Sequence, residues 1–500
     1  MEHLPAAFGL VFDPYVLFVI FTAAIFGLFV GAIPGLTATM ATALLIPITF
    51  FMDPVPAIGA VISCSAMAVF AGDIPAALLR MPGTPSSAAY TDEAYAMTRT
   101  GRGELALGIA VVCSAIGGLM GSVALALSAP VLAELALNFT SLEYFWLACL
   151  GLTCSALITT GNPVKGVISL LIGLMVATTG EDIMSGYPRF SFGNPELAAG
   201  IDLIPAMIGM FAVSELIRNA ATMKSYIRPE LGKVGSIFRN LLPTLIRYKV
   251  NMVRGWVVGV LVGALPGAGG GMAAWICMAL AKKFSREPEK FGTGHPEGMV
   301  EATSANNASL GGAWVPALVF GIPGDAITAI VIGVLFMKGL SPGPTIFMHA
   351  GDLLYALFVI FFISNIAMVF IGWAAIRISR HVITVPREIL VPVILLFCIV
   401  GSFAINSSML GVSVMLVLGL VAYFMEENEI PVAPAILGIV LGRMVEENFF
   451  NSLAKGRGDP TVFFDRPISA VLGAITLTIW LLPLILRFVK SMQTRRAQAG

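Results

Sequence analysis

The feature that most constrains this chain is a series of long, continuous apolar runs, at 15–51, 105–129, 164–178, 255–281, 353–376, 390–405, 409–425 and 468–488. A helix crossing a bilayer needs roughly 20 such residues. A transmembrane β-barrel would instead show short alternating segments with a polar inner face. Only 12% of the residues are charged, and 57% are hydrophobic; a soluble domain carries about 25% charge. These figures exclude a cytosolic enzyme, a nucleic-acid binder and a disordered chain. The expected fold is an all-α polytopic membrane protein of about 11 to 13 transmembrane segments, several of them broken.

Charge sets the expected topology. Between 218 and 254 stand Arg218, Lys224, Arg228, Lys233, Arg239, Arg247, Lys249 and Arg254 against one acid, Glu230. Such an excess marks a cytoplasmic segment. The expected division is a first membrane repeat at 1–217, a basic cytoplasmic linker at 218–254, and a second membrane repeat at 255–500 that ends in a transmembrane helix. The basic C-terminus is placed in the cytoplasm as well. The N-terminal segment has no basic n-region, and the first Lys or Arg is Arg80; a signal peptide is not expected. An outside N-terminus gives the first half an odd number of crossings and inverts the second half.

The halves share sequence. GLFVGAIPGLTATM at 27–40 and GVLVGALPGAGGGM at 259–272 match at seven of fourteen positions, at an offset of 232. PAALLRMPG at 75–83 and PALVFGIPG at 316–324 follow at an offset of 241, and IPAMIG at 204–209 pairs more weakly with APAILG at 433–438. Two homologous, inverted repeats are expected.

Each half therefore carries two Pro-Gly breaks inside apolar sequence. Proline removes a backbone donor, and glycine admits positive φ. Peptide groups freed in hydrocarbon are tolerated only where protein or a water-filled cavity satisfies them. Breaks at corresponding places in two repeats are a pointer to a transporter's binding site, where half-helix N-termini face an anion. The candidate substrate-binding residues are Pro34, Gly35, Thr37, Thr39, Pro82, Gly83, Thr84, Ser86, Pro266, Gly267, Gly269, Gly270, Asn306, Asn307, Pro323 and Gly324. Asp73, Ser304, Asp325 and Thr328 are candidates for cation coupling, because ionisable or oxygen-rich side chains inside a membrane are functional by default.

Structural readings compete at several positions. The glycines of GxxxG at 27–31 and 259–263 are more often packing surface than ligand site. Ser and Thr in membrane helices commonly bond their own i−4 carbonyl. A salt bridge from Arg80 is the structural alternative for Asp73. His295, in the polar insert, reads as solvated, and the six cysteines read as small buried hydrophobes. The sequence lacks GxxxxGK[ST], HExxH and GxSxG, so neither ATP hydrolysis nor an enzyme is expected. No cofactor and no metal beyond a coupling Na+ is expected, nor is nucleic acid.

GLFVGAIPGLTATMATALLIPITF (27–50), GLMVATTGEDIMSGYPRFSFG (173–193), GALPGAGGGMAAW (263–275) and EATSANNASLGGAWVPALVFGIPGDAITAIVIGVLF (301–336) resemble the large membrane subunit of the tripartite tricarboxylate transporters. The resemblance covers most of the chain. It implies a secondary importer of tri- or dicarboxylates in the bacterial inner membrane, coupled to Na+ or H+. It also implies two partners, a small membrane subunit of about four helices and a periplasmic solute-binding protein. Carried onto this sequence, the site falls at Pro34-Gly35, Pro82-Gly83, Pro266-Gly267, Asn306-Asn307 and Pro323-Gly324. Arg189 matches a family motif to which no role is attached. The alternatives are a stand-alone carrier or channel and, in another class, a membrane-embedded enzyme.

Overall fold

The computed structural model describes residues 3–33, 35–158, 162–221, 240–382, 387–406, 407–481. Pro34, most of the basic linker, including Lys224, Arg228, Lys233 and Arg239, and the basic C-terminus lie outside the described residues. Among those described, six helices are long and apolar enough to cross a membrane: Pro14–Gly31, Pro54–Leu79, Gly103–Ala136, Leu203–Ala220, Gly351–Arg377 and Met409–Glu427. Six shorter apolar helices, such as Ala38–Phe50 and Ala326–Met337, accompany them. The chain is an all-α polytopic membrane protein. The one exception among the described residues is a two-residue ribbon that pairs Gly180 with Arg189 and Glu181 with Pro188.

The chain packs as two compact units, one of residues 1–137 and 202–432, the other of 138–201 and 433–500. Each draws on both halves of the sequence. In the first, Gly209 lies against the Met415 backbone; in the second, Gly173 lies against the Ala435 backbone. The second unit has its own aromatic core, in which the Trp146 indole N–H donates to the Phe463 carbonyl at 2.9 Å.

The first unit holds all four Pro-Gly breaks, and glycine sets how closely its helices approach. A Cβ on Gly27 or Gly31 would collide with the backbone of Cys64 or Ala68, and one on Gly259 or Gly263 with the backbone of Ala305 or Ser309. The GxxxG glycines thus let Pro14–Gly31 close on Pro54–Ala71, and Lys249–Gly263 close on Pro296–Phe320. Cys64 and Ala305, like Ala68 and Ser309, are 241 positions apart, the offset of the second sequence pair.

The breaks correspond in conformation too. Gly35 has φ 88° and Gly267 φ 81°, a region that Cβ-bearing residues avoid. Arg80 (φ 57°) and Gly321 (φ 69°) end Asp73–Leu79 and Pro296–Phe320 in the left-handed region. The next N–H then returns to a proline carbonyl, Met81 to Pro75 at 3.3 Å and Ile322 to Pro316 at 3.2 Å. Each bond spans six residues and folds the chain back over the last turn of its helix.

Candidate functional site

Pro296–Phe320 is the axis of the site. It is buried along nearly its whole length although it carries Glu301, Thr303, Ser304, Asn306, Asn307 and Ser309. Most of its hydroxyls are satisfied within the helix: Thr303 donates to Met299 O (2.7 Å), Ser304 to Val300 O (2.8 Å) and Ser309 to Asn306 O (2.6 Å). Ser304 therefore has the back-bonded role that membrane helices commonly give serine.

The two asparagines differ. Asn307 Nδ2 donates to the Ala66 carbonyl at 3.0 Å and ties this helix to Pro54–Ala71. Asn306 Nδ2 reaches only the Tyr90 hydroxyl, at 3.4 Å; the Oδ1 of both asparagines is buried without a partner. Gly270 is adjacent: a Cβ there would lie 3.0 Å from Asn306 Oδ1 and 2.8 Å from Ser309 Oγ.

Gly270 is in the first turn of Gly269–Phe284, where N–H groups have no helical acceptor. No side chain caps this end. The corresponding helix of the first half, Ala38–Phe50, is closed by Thr37, whose Oγ1 accepts the Met40 N–H at 3.1 Å. Thr39 is half-buried in that first turn. The uncapped end belongs to the break with three glycines, because no side chain there can fold back onto the amides. It also meets the other half: a Cβ on Gly271 would lie 3.2 Å from Pro85 Cβ and 3.9 Å from the Ser86 nitrogen. Gly269–Gly271, Asn306, Ser309 and the Pro85-Ser86 turn thus converge.

The remaining candidates divide. Thr84 engages Ser87 reciprocally, the Thr84 N–H donating to Ser87 Oγ at 3.0 Å and the Ser87 N–H to Thr84 Oγ1 at 3.1 Å. Asp325 and Thr328 form a capping box on Ala326–Met337: Thr328 N–H donates to Asp325 Oδ1 at 2.8 Å, and Asp325 N–H to Thr328 Oγ1 at 2.9 Å. Their immediate task is to start a helix, although Gly269 lies beside Asp325. Pro266-Gly267 is joined to Pro323-Gly324 through the backbone. Pro82 is exposed, and Gly83 packs on Gly72. Gly35 lends its carbonyl to Asn219 Nδ2 at 2.7 Å.

Asp73 has no salt bridge among the described residues. Arg80 pairs with Asp92 instead, at 2.8 Å. The Asp73 partner is Tyr90, whose hydroxyl donates to Oδ1 at 2.6 Å. The other carboxylate oxygen is buried and unpartnered. Tyr90 and Asn219 carried no signal in the sequence, since each acts through a contact with a distant segment. His295 departs from expectation. It is buried at 7% exposure, its ring 3.3 Å from Glu297 and its N–H on Glu93 at 2.8 Å. The insert folds back onto a carboxylate rather than into water.

The family model described as "Tripartite tricarboxylate transporter TctA family" matches residues 17–437. The chain belongs to this family. A relative from Agrobacterium vitis, an uncharacterized 52.8 kDa protein in the TAR-I ttuC' 3' region, is 32% identical over 487 residues, or 97% of this chain and 96% of the relative. A second, from the TAR-II ttuC' 3' region of the same organism, is 32% identical over 240 residues, covering 48% of this chain and 98% of that protein. No solved structure matches. TctA-family membership identifies a transporter's membrane component, consistent with the multi-pass helical fold.

Proposed function

We propose that this chain is the large permease subunit of a secondary, cation-coupled carboxylate importer of the bacterial inner membrane. It works with a small membrane subunit and a periplasmic solute-binding protein. The linker and C-terminus face the cytoplasm, in line with the Lys and Arg excess of 218–254. The paired positions of Gly27 with Gly259, Gly35 with Gly267 and Arg80 with Gly321 support two inverted repeats that move against each other to alternate access.

The observation that carries the substrate class is the uncapped N-terminus at Gly269–Gly271 beside Asn306. Free N–H groups and the positive end of a helix dipole suit a carboxylate. Asn306 sets an amide beside this end with Oδ1 toward Gly270; turned over, it donates to the anion through Nδ2. The site thereby holds an anion with backbone and neutral groups. Uptake of citrate and succinate into proteoliposomes holding all three components tests the reading. It predicts uptake that falls when the Na+ and H+ gradients are collapsed together, and that falls again in Asn306→Ala. Uptake indifferent to both gradients would refute the coupling.

A further inference from the structure

Asp73, Tyr90 and Asn306 form a chain of polar groups joining the two halves, and nothing in the transport reading yet uses its acidic end. Asp73 opens the short helix Asp73–Leu79 and is 1% exposed; Tyr90 is 0% and Asn306 1% exposed. The hydroxyl of Tyr90 donates to Asp73 Oδ1 at 2.6 Å and accepts from Asn306 Nδ2 at 3.4 Å. Two acceptor oxygens at the ends of this chain, Asp73 Oδ2 and Asn306 Oδ1, are buried without partners.

Asp73–Leu79 packs against Pro54–Ala71, Ser87–Ala89, Thr91–Arg99 and Gly103–Ala136. The titratable groups of these elements are engaged elsewhere or do not reach Asp73. Asp92 pairs with Arg80, and Glu93 accepts the N–H groups of Gly294 and His295 at 2.8 Å. Cys64 and Cys113 are buried thiols. Tyr95, Arg99, Glu104 and Glu134 do not bond to Asp73, which leaves Tyr90 as its one titratable partner among the described residues.

A carboxylate taken out of water with a single hydrogen bond and no countercharge is strongly disfavoured. One proton removes that cost: an O–H bond forms on Asp73 Oδ2, and the orphaned acceptor becomes a donor. The same proton offsets the charge of a carboxylate substrate held at Gly269–Gly271. Asn306 links the two events, since its amide serves Tyr90 on one side and lies beside Gly270 on the other. Asn306 presents its Oδ1 to Gly270, so an anion arriving there turns the amide over: Nδ2 leaves the Tyr90 oxygen and donates to the anion by a charge-assisted bond, which alters the hold on Asp73.

Resting on the transport reading above, we propose that Asp73 carries the coupling proton, and that Tyr90 and Asn306 relay its state to the anion site. The proton enters from water on the uptake side with substrate and leaves to water on the other. Tyr90 is a positioning residue, and Asn306 is the group that meets the anion.

Two measurements test this. The first needs no substrate. Infrared difference spectroscopy of the purified protein at neutral pH should show a protonated carboxyl band that Asp73→Asn removes, Tyr90→Phe shifts and added sodium chloride leaves in place. Absence of the band, or its loss on adding sodium, overturns the proposal. Should Asp73→Asn fail to fold, the Tyr90→Phe shift decides. The second uses citrate and succinate in proteoliposomes. Asp73→Asn should lose accumulation driven by a pH gradient and retain a slower exchange that no longer depends on pH. Loss of exchange as well, or driven accumulation that survives, overturns it. If neither acid moves in the wild type, the transport reading fails while the infrared result still decides the proton site.

Discussion

The amide of Gly267 donates to the carbonyl of Gly324 at 2.8 Å, closing one Pro-Gly break of the second half onto the other. Two interruptions 57 residues apart in sequence are thus one structural feature. The bond answers the main problem of a broken helix in hydrocarbon, because each break supplies a partner for a peptide group freed by the other. Gly324 has to be glycine for this approach. A Cβ there would stand 2.7 Å from Ala313 Cβ and 2.5 Å from the Gly263 oxygen.

Gly324→Ala should therefore destabilise the protein by about 3 kcal/mol through overpacking. Gly83→Ala should cost a similar amount, since its Cβ would meet Gly72 Cα at 2.6 Å and the Gly31 oxygen at 3.0 Å. Thermal unfolding in detergent measures both. Two wild-type-like midpoints would contradict the close approach.

Asn306 and Asn307 should separate stability from transport. Asn307→Ala removes the 3.0 Å bond to Ala66 O and should cost about 1–3 kcal/mol of stability. Asn306→Ala gives up only a 3.4 Å contact with Tyr90, so its effect should fall on uptake rather than on the unfolding midpoint. Equal midpoints for the two variants would count against this assignment.

Gly270→Ala puts a methyl group 2.8 Å from Ser309 Oγ and 3.0 Å from Asn306 Oδ1. These two are side-chain atoms, and the nearest backbone atom, Asn306 O, stands farther off at 3.2 Å, so the fold should survive at a cost of about 1–3 kcal/mol. Uptake should fall much further, with a raised KM, because the methyl group intrudes between the helix end and Asn306. Unchanged uptake kinetics would remove this break from the site.

The ribbon at 180–189 gives a pH prediction. Asp182 accepts the N–H groups of Ser185 (2.7 Å) and Met184 (3.0 Å) and faces Arg189 at 3.3 Å. The Ser185 N–H, the Ser185 hydroxyl, the Met184 N–H and Arg189 hold its carboxyl below the usual carboxylate range. A depressed carboxyl stabilises the fold above its unfolded value, near 3.9, and loses that contribution as pH falls through the folded value. Hydrogen exchange at Met184 and Ser185 should stay slow above about pH 4 and quicken below it, and Asp182→Asn should flatten the dependence. Arg189 also forks onto Glu446 at 2.6 and 3.1 Å, so Arg189→Ala should loosen the same amides by about 1–3 kcal/mol. This gives Arg189 a structural role: it fixes a loop that holds Phe190 and Phe192 at φ 52° and 49°.

Apolar length, the GxxxG stripes and the addresses of the four breaks were legible in the sequence because each is local. A bilayer selects helices by runs of neighbouring residues, and a helix gap is written by proline and glycine at the gap itself. Roles for individual polar side chains were not legible. Ser304, Asp325 and Thr328 have the composition of ligands, yet the fold uses them in back-bonding and capping. Tyr90 looked ordinary and is the partner of Asp73. Asn306 and Asn307 are adjacent, yet one ties helices together and the other lies beside an open helix end. Each outcome depends on which group arrives from far away in the chain, 216 positions in the case of Asn306 and Tyr90. Burial makes that arrival decisive, since a polar atom removed from water takes its role from whichever partner the packing brings within reach. The sequence by itself determined a membrane-spanning helical chain broken at four places; the tertiary structure decided which polar atoms were satisfied and which were left open.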